Sequence, residues 1–210
     1  MLWRALSTVE SGYYIDIGAQ DPVNDSVSLY FYERGWRGLH VEPVPHYAEL
    51  LRQSRPEDIV LQAAVGGDAA TLRFFEFPDT GISTAIPTIA DQHKERGFAV
   101  NEIVVPCISL QSVFDAVGGR EVHWLKIDVE GFEKSVLSSW GDSLCRPWIV
   151  VVESTMPLTR IEVHEQWEYL LAELGYKPVY FDGLNRFYVS GAHPQLAKHF
   201  AAPPNVFDDF

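Results

Sequence analysis

Short apolar runs that end in acidic residues are the feature that most constrains how this chain folds. The runs are rich in β-branched and aromatic residues, which is typical of strands buried on both faces of a sheet. Segments with helical patterns separate them, so the order of elements predicts an α/β fold with an open, doubly wound parallel sheet. The carboxyl ends of parallel strands share one edge, where a ligand would bind. The acids are Asp16, Glu42, Asp128, Glu130 and Glu153, in strands predicted over residues 13–17, 38–42, 122–131 and 148–153.

The remaining elements follow from turn residues and periodicity. Pro45 opens one helix and Gly175 ends another, because proline is tolerated in a first turn and glycine closes a last one. Pro106 places the strand that contains it at a sheet edge. Helices are predicted over residues 28–34, 46–52, 109–115, 132–137 and 162–174. Further strands are predicted over residues 59–65, 72–77 (antiparallel or edge), 104–109, and 176–181 with 185–189 as an antiparallel pair.

Composition and charge narrow the functional class. The 210-residue chain is 47% hydrophobic, which is enough for one domain with a sizeable core. Its net charge of -13, with no basic run, disfavours nucleic acid as a partner. Cys107 and Cys145 lack metal-ligand spacing and are interpreted as buried thiols in a reducing compartment. No signal peptide or membrane-spanning run is present in the sequence, so we expect a soluble, cytoplasmic protein.

The turn after the first strand bears on the choice of cofactor. Gly18 is followed by Ala-Gln-Asp-Pro, so the GxGxxG pattern that cradles a pyrophosphate is absent. The aspartate in this turn would also repel a phosphate. S-adenosylmethionine carries no phosphate and is cationic at sulfur, so an acidic crevice suits it. Glu42 follows the turn at near the ~20-residue spacing of an acid that binds ribose hydroxyls. A nicotinamide-dependent oxidoreductase remains an alternative.

Several motifs, taken together, resemble the FkbM family of S-adenosylmethionine-dependent methyltransferases. The most specific is Lys-Ile-Asp-Val-Glu-Gly-Phe-Glu at residues 126–133. The resemblance implies a class I methyltransferase, Rossmann-like fold of seven strands, with the last strand inserted antiparallel and helices on both faces. It also implies methyl transfer to a hydroxyl, commonly of a sugar or a polyketide-like product. The other motifs are Tyr-Ile-Asp-Ile-Gly-Ala at 14–19, Val-Glu-Pro at 41–43, Ala-Ala-Val-Gly at 63–66, Glu153, and Leu-Gly-Tyr at 174–176.

One departure from the family pattern lies in the first turn. The family has Asp-x-Gly-Ala-Asn-x-Gly, where this chain has Gln20 and then Asp21-Pro22. We therefore expect the methionine end of the cofactor to be held differently. The departure also keeps open an alternative function, that of a non-catalytic methyltransferase-like binding module.

The predicted cofactor site centres on Glu42, whose carboxylate would bind the ribose diol. Asp16, Gly18 and Ala19 would line the methionine and ribose side. Small apolar residues at the end of the third strand would flank the adenine ring, or would simply belong to the core. Ser26 is a further candidate that also fits a helix cap. The full set is Asp16, Gly18, Ala19, Gln20, Ser26, Glu42, Pro43, Ala64 and Val65.

The predicted catalytic residues lie at the carboxyl ends of the strands predicted over residues 122–131 and 148–153. Methyl transfer to a hydroxyl requires positioning and removal of a proton, and a base contributes about 10²–10⁴-fold. Asp128 would orient the hydroxyl or lie near the methyl group. Lys126 would either hold Asp128 or Glu130, or contact the substrate. No metal is predicted, although Asp128 and Glu153 would be ligands of a divalent cation if the reaction needed one. The candidates are Lys126, Asp128, Glu130 and Glu153, with His93 and His123 as alternatives for the base.

Three segments divide the chain in this interpretation. Residues 1–12 form an arm, residues 13–190 the methyltransferase domain with a lid-like insertion near 78–104, and residues 191–210 a tail. Prolines predict that the tail is poorly ordered. The predicted partner is a small-molecule or glycan acceptor, such as a polysaccharide or a natural-product glycoside. The oligomeric state is left open, and the abrupt ends suggest a domain of a longer, glycosyltransferase-linked polypeptide.

Overall fold

A computed structural model describes residues 1–67, 69–205 and 208. These residues form two β-sheets with surrounding helices. The strands are β1 (Tyr13–Ile17), β2 (Arg37–Val41), β3 (Ile59–Leu61), β4 (Ala64–Val65), β5 (Thr71–Glu76), β6 (Asn101–Ile108), β7 (Trp124–Ile127), β8 (Ile149–Glu153), β9 (Tyr176–Phe181) and β10 (Asn185–Ser190). The helices are α1 (Leu2–Leu6), α2 (Val27–Tyr32), α3 (Pro45–Ser54), α4 (Pro87–Glu95), α5 (Leu110–Val117), α6 (Glu133–Ser138) and α7 (Glu168–Glu173), with 3-10 helices at His164–Gln166 and Pro194–Phe200.

The larger sheet has seven strands in the order β3-β2-β1-β7-β8-β10-β9. Neighbours from β3 to β8 are parallel, whereas β10 runs antiparallel to both β8 and β9. The predicted class I methyltransferase topology, with its last strand antiparallel, is therefore confirmed. The strand order reverses between β1 and β7, and in such sheets a ligand binds at that point, beyond the carboxyl ends of the strands.

Helices cover both faces of this sheet, as predicted. On one face, Ile15 and Leu125 join a buried cluster with Val113 of α5 and Val136 of α6. Strand residues alternate between faces, so the next residues along, such as Tyr14 and Trp124, point the other way. They pack with residues of α1, α2 and the 3-10 helix Pro194–Phe200. No helix in the described part of the chain is long and apolar enough to cross a membrane.

The strand predicted over residues 59–65 is two strands. A tight turn in which Ala63 N donates to Leu61 O (3.1 Å) separates β3 from β4. Only β3 belongs to the larger sheet, because β4 pairs in parallel with β6 in a second sheet of order β4-β6-β5. The prediction of an edge position for the strand with Pro106 is therefore wrong, since β6 is central. Proline is tolerated in this central strand because pairing with β4 begins one residue later, where Ala64, the first residue of β4, pairs with Cys107. Pro106 therefore has no partner residue on the β4 side of the strand.

Two other predictions need correction. In place of the single helix predicted over residues 162–174, the structure has a 3-10 helix followed by α7. The start of the predicted helix is not helical because Val163 N donates to Ser154 O (2.8 Å). The tail is ordered over Pro194–Phe200, where the side chains of Leu196 and Phe200 are buried against the sheet. Residues 206, 207, 209 and 210 of the predicted tail lie outside the described residues.

A buried carboxylate ties the first two strands to the loop before β3. Asp58 Oδ1 accepts a hydrogen bond from Gly38 N (2.8 Å), and Oδ2 accepts one from Tyr14 OH (2.6 Å). His40 Nε2 lies 2.9 Å from Oδ2, and both side chains of this pair are fully buried. Burial and the Asp58 charge raise the pKa of Tyr14 above its ordinary value. The carboxylate thus joins three backbone segments.

We expect Asp58→Ala to lower the free energy of unfolding by about 3–5 kcal/mol, because it leaves buried polar partners without their acceptor. Urea denaturation followed by circular dichroism measures the change. Glu57→Ala is the matched control, since Glu57 forms an exposed ion pair with Arg37, and loss of such a pair costs about 1 kcal/mol or less. Equal effects of the two substitutions would contradict this account of Asp58.

Candidate cofactor and active site

The loop after β1 lies directly against the loop after β7. Gly18 has φ +78° and donates its N–H to Val41 O (2.9 Å). A Cβ atom at this position would lie 1.8 Å from the carbonyl oxygen of Asp128, so a side chain cannot be accommodated without displacing the backbone. Asp128 N in turn donates to Ile17 O (3.0 Å). Glycine is therefore required for the two strand ends to meet.

The turn that departs from the family pattern is closed by local hydrogen bonds. Gln20 adopts φ +47°, and its N–H donates to Glu42 Oε2 (2.9 Å). Asp21 Oδ1 accepts from the backbone N–H groups of Val23 and Asn24, both at 2.8 Å. The Asp21 carboxylate is thus used within the turn, as is common for aspartate before a tight bend.

Glu42 lies at the end of β2 and is 4% exposed. Its Oε1 atom accepts a hydrogen bond from Val44 N (2.8 Å), and Oε2 accepts the one from Gln20 N. Burial, together with the charges of Asp16 and Glu76, raises the pKa of Glu42 to about 7, although the two backbone donors oppose the shift. A carboxylate offers about four acceptor positions. Two are used here, so two remain for the hydroxyls of a diol.

A cavity lies beside Glu42 at the point where the strand order reverses, and we call it the cofactor cavity. Its walls come from the ends of β1, β2 and β7, from α3, from the second sheet and from the insertion. The cavity is narrow, about 80 Å³. The lining residues are Ile17, Gly18, Gln20, Val41, Glu42, Pro43, Val44, Tyr47, Ala63, Ala64, Val65, Phe74, Thr80, Gly81, Ser83, Ala85, Asp128, Val129, Glu130 and Phe132.

The structure brings most of the predicted cofactor residues to this cavity. Those that line it are Gly18, Gln20, Glu42, Pro43, Ala64 and Val65. Three do not. Asp16 and Ala19 are buried beside it, and Ser26 lines a different cavity, at the start of α2. Sequence reasoning missed Tyr47, Phe74 and Thr80, of which only Phe74 lay in a predicted strand.

The loop after β7 carries two of the predicted catalytic acids. Lys126 Nζ donates to Asp128 Oδ2 (2.5 Å). Burial disfavours the charged lysine, but Asp128, Asp16 and Glu153 outweigh it and raise the pKa of Lys126. Glu130 has φ +52°, and its carbonyl oxygen accepts from Thr84 Oγ1 (2.7 Å). This hydrogen bond ties the insertion to the loop.

Glu133, at the start of α6, shapes the same loop from the other side. Its Oε1 atom accepts from Gly131 N (3.0 Å) and from Val129 N (3.4 Å). The side chain is almost fully buried, and burial raises its pKa to about 7. Because these two donors flank Glu130, the bonds help to fix where that residue points.

Three carboxylates converge at the carboxyl ends of β7 and β8. One oxygen from each of Asp128, Glu130 and Glu153 lies within 4.8 Å of the others. Burial first, and then their mutual charges, raise the pKa of Glu130 and of Glu153 strongly. Glu153 lines neither cavity, but it is 4% exposed and contributes to this group. The two predicted alternatives for the base, His93 and His123, are buried among aromatic residues.

A second cavity, of about 620 Å³, lies on the face of the larger sheet that carries α1 and α2, and we call it the arm cavity. Lys126 lines it, while its partner Asp128 lines the cofactor cavity. The Lys126–Asp128 ion pair therefore lies between the two cavities. The other lining residues are Met1, Leu2, Trp3, Arg4, Ser7, Ser26, Val27, Tyr30, Phe31, Val151, Asp182, Asn185, Phe187, Pro204 and Asp208.

The strand order with its antiparallel β10, and the buried acid beside the point of reversal, define the class as S-adenosylmethionine-dependent methyltransferases with a class I fold. The donor set fits this cofactor, because Glu42 retains acceptor positions for a ribose diol and the cavity has apolar walls for an adenine ring. The model of the methyltransferase FkbM domain matches residues 16–178. The chain belongs to this family and is a methyltransferase that uses S-adenosylmethionine, which decides against the nicotinamide alternative.

Two solved structures are similar to this chain. One is a TehB-like SAM-dependent methyltransferase from Corynebacterium glutamicum, with 10% identity over 90% of this chain and 86% of that chain, at a TM-score of 0.49. The other is the C-terminal domain of precorrin-6Y C5,15-methyltransferase from Rhodobacter capsulatus, with 12% identity, 90% and 85% coverage, and a TM-score of 0.41. No curated protein sequence matches significantly.

We expect the affinity for S-adenosylhomocysteine to rise about tenfold between pH 6 and pH 8. The Glu42 pKa of about 7 leaves its carboxyl mostly protonated at pH 6, and only the ionised form accepts hydrogen bonds at every oxygen position. Isothermal titration calorimetry across this range measures the change. Glu42→Gln is the control and should bind more weakly, with a flat pH profile. The same slope in this variant would show that another group is responsible.

Proposed function

We propose that the protein is an O-methyltransferase that acts on a hydroxyl group of a sugar or glycan. The arm cavity is the observation that carries this proposal. Aromatic side chains such as Trp3, Tyr30 and Phe187 line it together with polar ones such as Asn185 and Asp182. A sugar ring has an apolar face that packs on aromatic rings and hydroxyls that need hydrogen-bond partners, and a mixed lining of this kind suits both.

The position of the Lys126–Asp128 pair supports methyl transfer between the two cavities. A hydroxyl in the arm cavity can approach this pair from one side, and the cofactor would lie on the other side. Lys126 holds the Asp128 carboxylate through a 2.5 Å hydrogen bond. In this assignment Asp128 orients the acceptor hydroxyl and receives its proton, Lys126 positions Asp128, and Glu130 and Glu153 set the local charge.

The proposed cofactor contacts follow from the cavity walls. Glu42 accepts the ribose hydroxyls, and the turn from Asp16 to Gln20 holds the methionine side. Apolar residues of β4, with Tyr47 and Phe74, enclose the adenine. When bound, S-adenosylmethionine supplies an electrophilic methyl group, whose transfer leaves a methyl ether, S-adenosylhomocysteine and one proton.

The insertion near residues 78–104 is proposed to act as a lid. Thr80 O accepts from Gln20 Nε2 (2.6 Å), and Thr84 bonds the loop after β7. With these contacts formed, the cofactor cavity is much smaller than the ~300–1,000 Å³ typical of ligand pockets. In this proposal the segment over residues 80–85 moves outward when the cofactor enters.

The proposal predicts that the purified chain transfers a labelled methyl group to a sugar hydroxyl. A panel of glycans, glycosides and sugar nucleotides is assayed beside phenols and amines, and the product is identified by mass spectrometry. Asp128→Asn should lower turnover by about 10²–10⁴-fold and leave S-adenosylhomocysteine affinity nearly unchanged. Asp115→Asn, an exposed position on α5, is the matched control. Methylation of only phenols or amines would overturn the assignment to sugars.

Removing an aromatic wall of the arm cavity should weaken acceptor binding alone. We expect Trp3→Ala to raise the acceptor KM several-fold, because a lost aromatic contact costs about 1 kcal/mol, while cofactor affinity stays the same. Steady-state kinetics and calorimetry separate the two effects. Tyr169→Ala, at a half-exposed position on α7, should change neither. An unaltered KM in Trp3→Ala would place the acceptor elsewhere.

A further inference from the structure

The topology of the larger sheet brings the three carboxylates of Asp128, Glu130 and Glu153 together. Asp128 directly follows β7, and Glu153 is the last residue of β8, its parallel neighbour. Glu130 reaches the same place through its left-handed backbone conformation, with its carbonyl oxygen bonded to Thr84. Their convergence thus depends on fixed backbone rather than on flexible side chains alone.

Two of these carboxylates have an oxygen that lacks a hydrogen-bond partner. They are Glu153 Oε2 and Glu130 Oε2, both inaccessible to solvent, and Glu153 as a whole is 4% exposed. Such atoms are expensive to bury, since desolvation of an unpaired charged oxygen costs several kcal/mol. Asn185 lies opposite Glu153 on β10, and its Oδ1 atom is also buried without a partner. A ligand that accepts electron pairs from oxygen would satisfy the two carboxylate oxygens.

We propose that Asp128, Glu130 and Glu153 bind a divalent cation, Mg²⁺ or Mn²⁺. With all three carboxyl groups ionised, Lys126 offsets one of the negative charges, and a divalent cation would offset the other two. Carboxylate oxygens are the ligands that these hard cations prefer, and the group contains no histidine or cysteine that would favour zinc. Oxygens on opposite sides of Mg²⁺ lie about 4.0–4.2 Å apart, twice the metal–oxygen distance of about 2.0–2.1 Å. Those of this group lie within 4.8 Å of one another, so a small approach of the side chains would bring them to ligand distance.

The role of the cation rests on the proposed function. At this position it would contact a hydroxyl that enters from the arm cavity, and a bound divalent cation lowers the pKa of an oxygen ligand. The hydroxyl would lose its proton to Asp128 or to solvent. Its oxygen then forms the bond to the methyl carbon, while the carbon–sulfur bond breaks and leaves its electron pair on sulfur. The net products are the methyl ether, S-adenosylhomocysteine and a proton.

Binding of Mn²⁺ to the full chain tests the site without any acceptor. After treatment with a chelator, the wild type should bind one Mn²⁺ per chain, measured by loss of the free-ion signal in electron paramagnetic resonance, and Mg²⁺ should compete. Glu153→Gln and Glu130→Gln should each weaken binding at least tenfold. Glu173→Gln, which changes an exposed acid on α7, should bind like the wild type. Mn²⁺ should also raise the melting temperature of the wild type but not of Glu153→Gln.

Two controls keep the interpretation unambiguous. Titration with S-adenosylhomocysteine shows that each variant is folded and keeps its cofactor site, so lost Mn²⁺ binding then reports on the carboxylates. The absence of Mn²⁺ binding by the wild type, or unchanged binding in Glu153→Gln, would overturn the proposal. Failure to methylate any sugar would instead overturn the proposed function and leave the cation site standing.

Discussion

The close contact between the loops after β1 and β7 is the constraint on which the site depends. Gly18 leaves room for the carbonyl oxygen of Asp128, and Asp128 N closes the contact on Ile17 O. Gln20 extends the same turn to Glu42 through its backbone N–H. A single backbone approach therefore relates the strand end that carries Glu42, the proposed ribose ligand, to the loop that carries Asp128, the residue proposed to orient the acceptor. Main-chain atoms thus fix the relative positions of the two backbone segments from which these side chains extend.

Alternation along the strands decides which cavity each charged residue faces. Asp16, Lys126 and Glu153 share a face with Tyr14, Trp124 and Val151, whereas the intervening residues of the same strands belong to the opposite core. Lys126 accordingly extends beneath the arm cavity, although Asp128, two positions later, has left the strand and turned towards the cofactor. The ion pair links the two faces at the sheet edge. That arrangement suits a reaction between two ligands that enter from opposite sides.

Local signals in the sequence were enough for the larger sheet, but not for the walls of the cofactor cavity. The acid-tipped strands, and the helix that Ser109 caps and Gly118 ends, have signals within a few residues, and the structure confirms them. The break between β3 and β4 has no such signal, because Ala64 and Val65 pair with residues 107 and 108. Tyr47, Phe74 and Thr80 likewise reach the cavity only through packing of the second sheet and the insertion. Hydrophobic periodicity indicates which face of a helix or strand is apolar, but it does not identify the distant segment against which that face packs.

The turn that departs from the family pattern has a physical use in this chain. Its glutamine reaches Thr80 O with Nε2, while its backbone N–H bonds Glu42. The family's asparagine is one methylene shorter, so from the same backbone it would fall more than 1 Å short of that carbonyl oxygen. Gln20 thereby connects the cofactor acid to the insertion that covers the cavity, and opening of the insertion has to break this bond. At the position where the family pattern has asparagine, this chain thus has a link between Glu42 and the insertion, and the proposed lid would respond directly to what occupies the site.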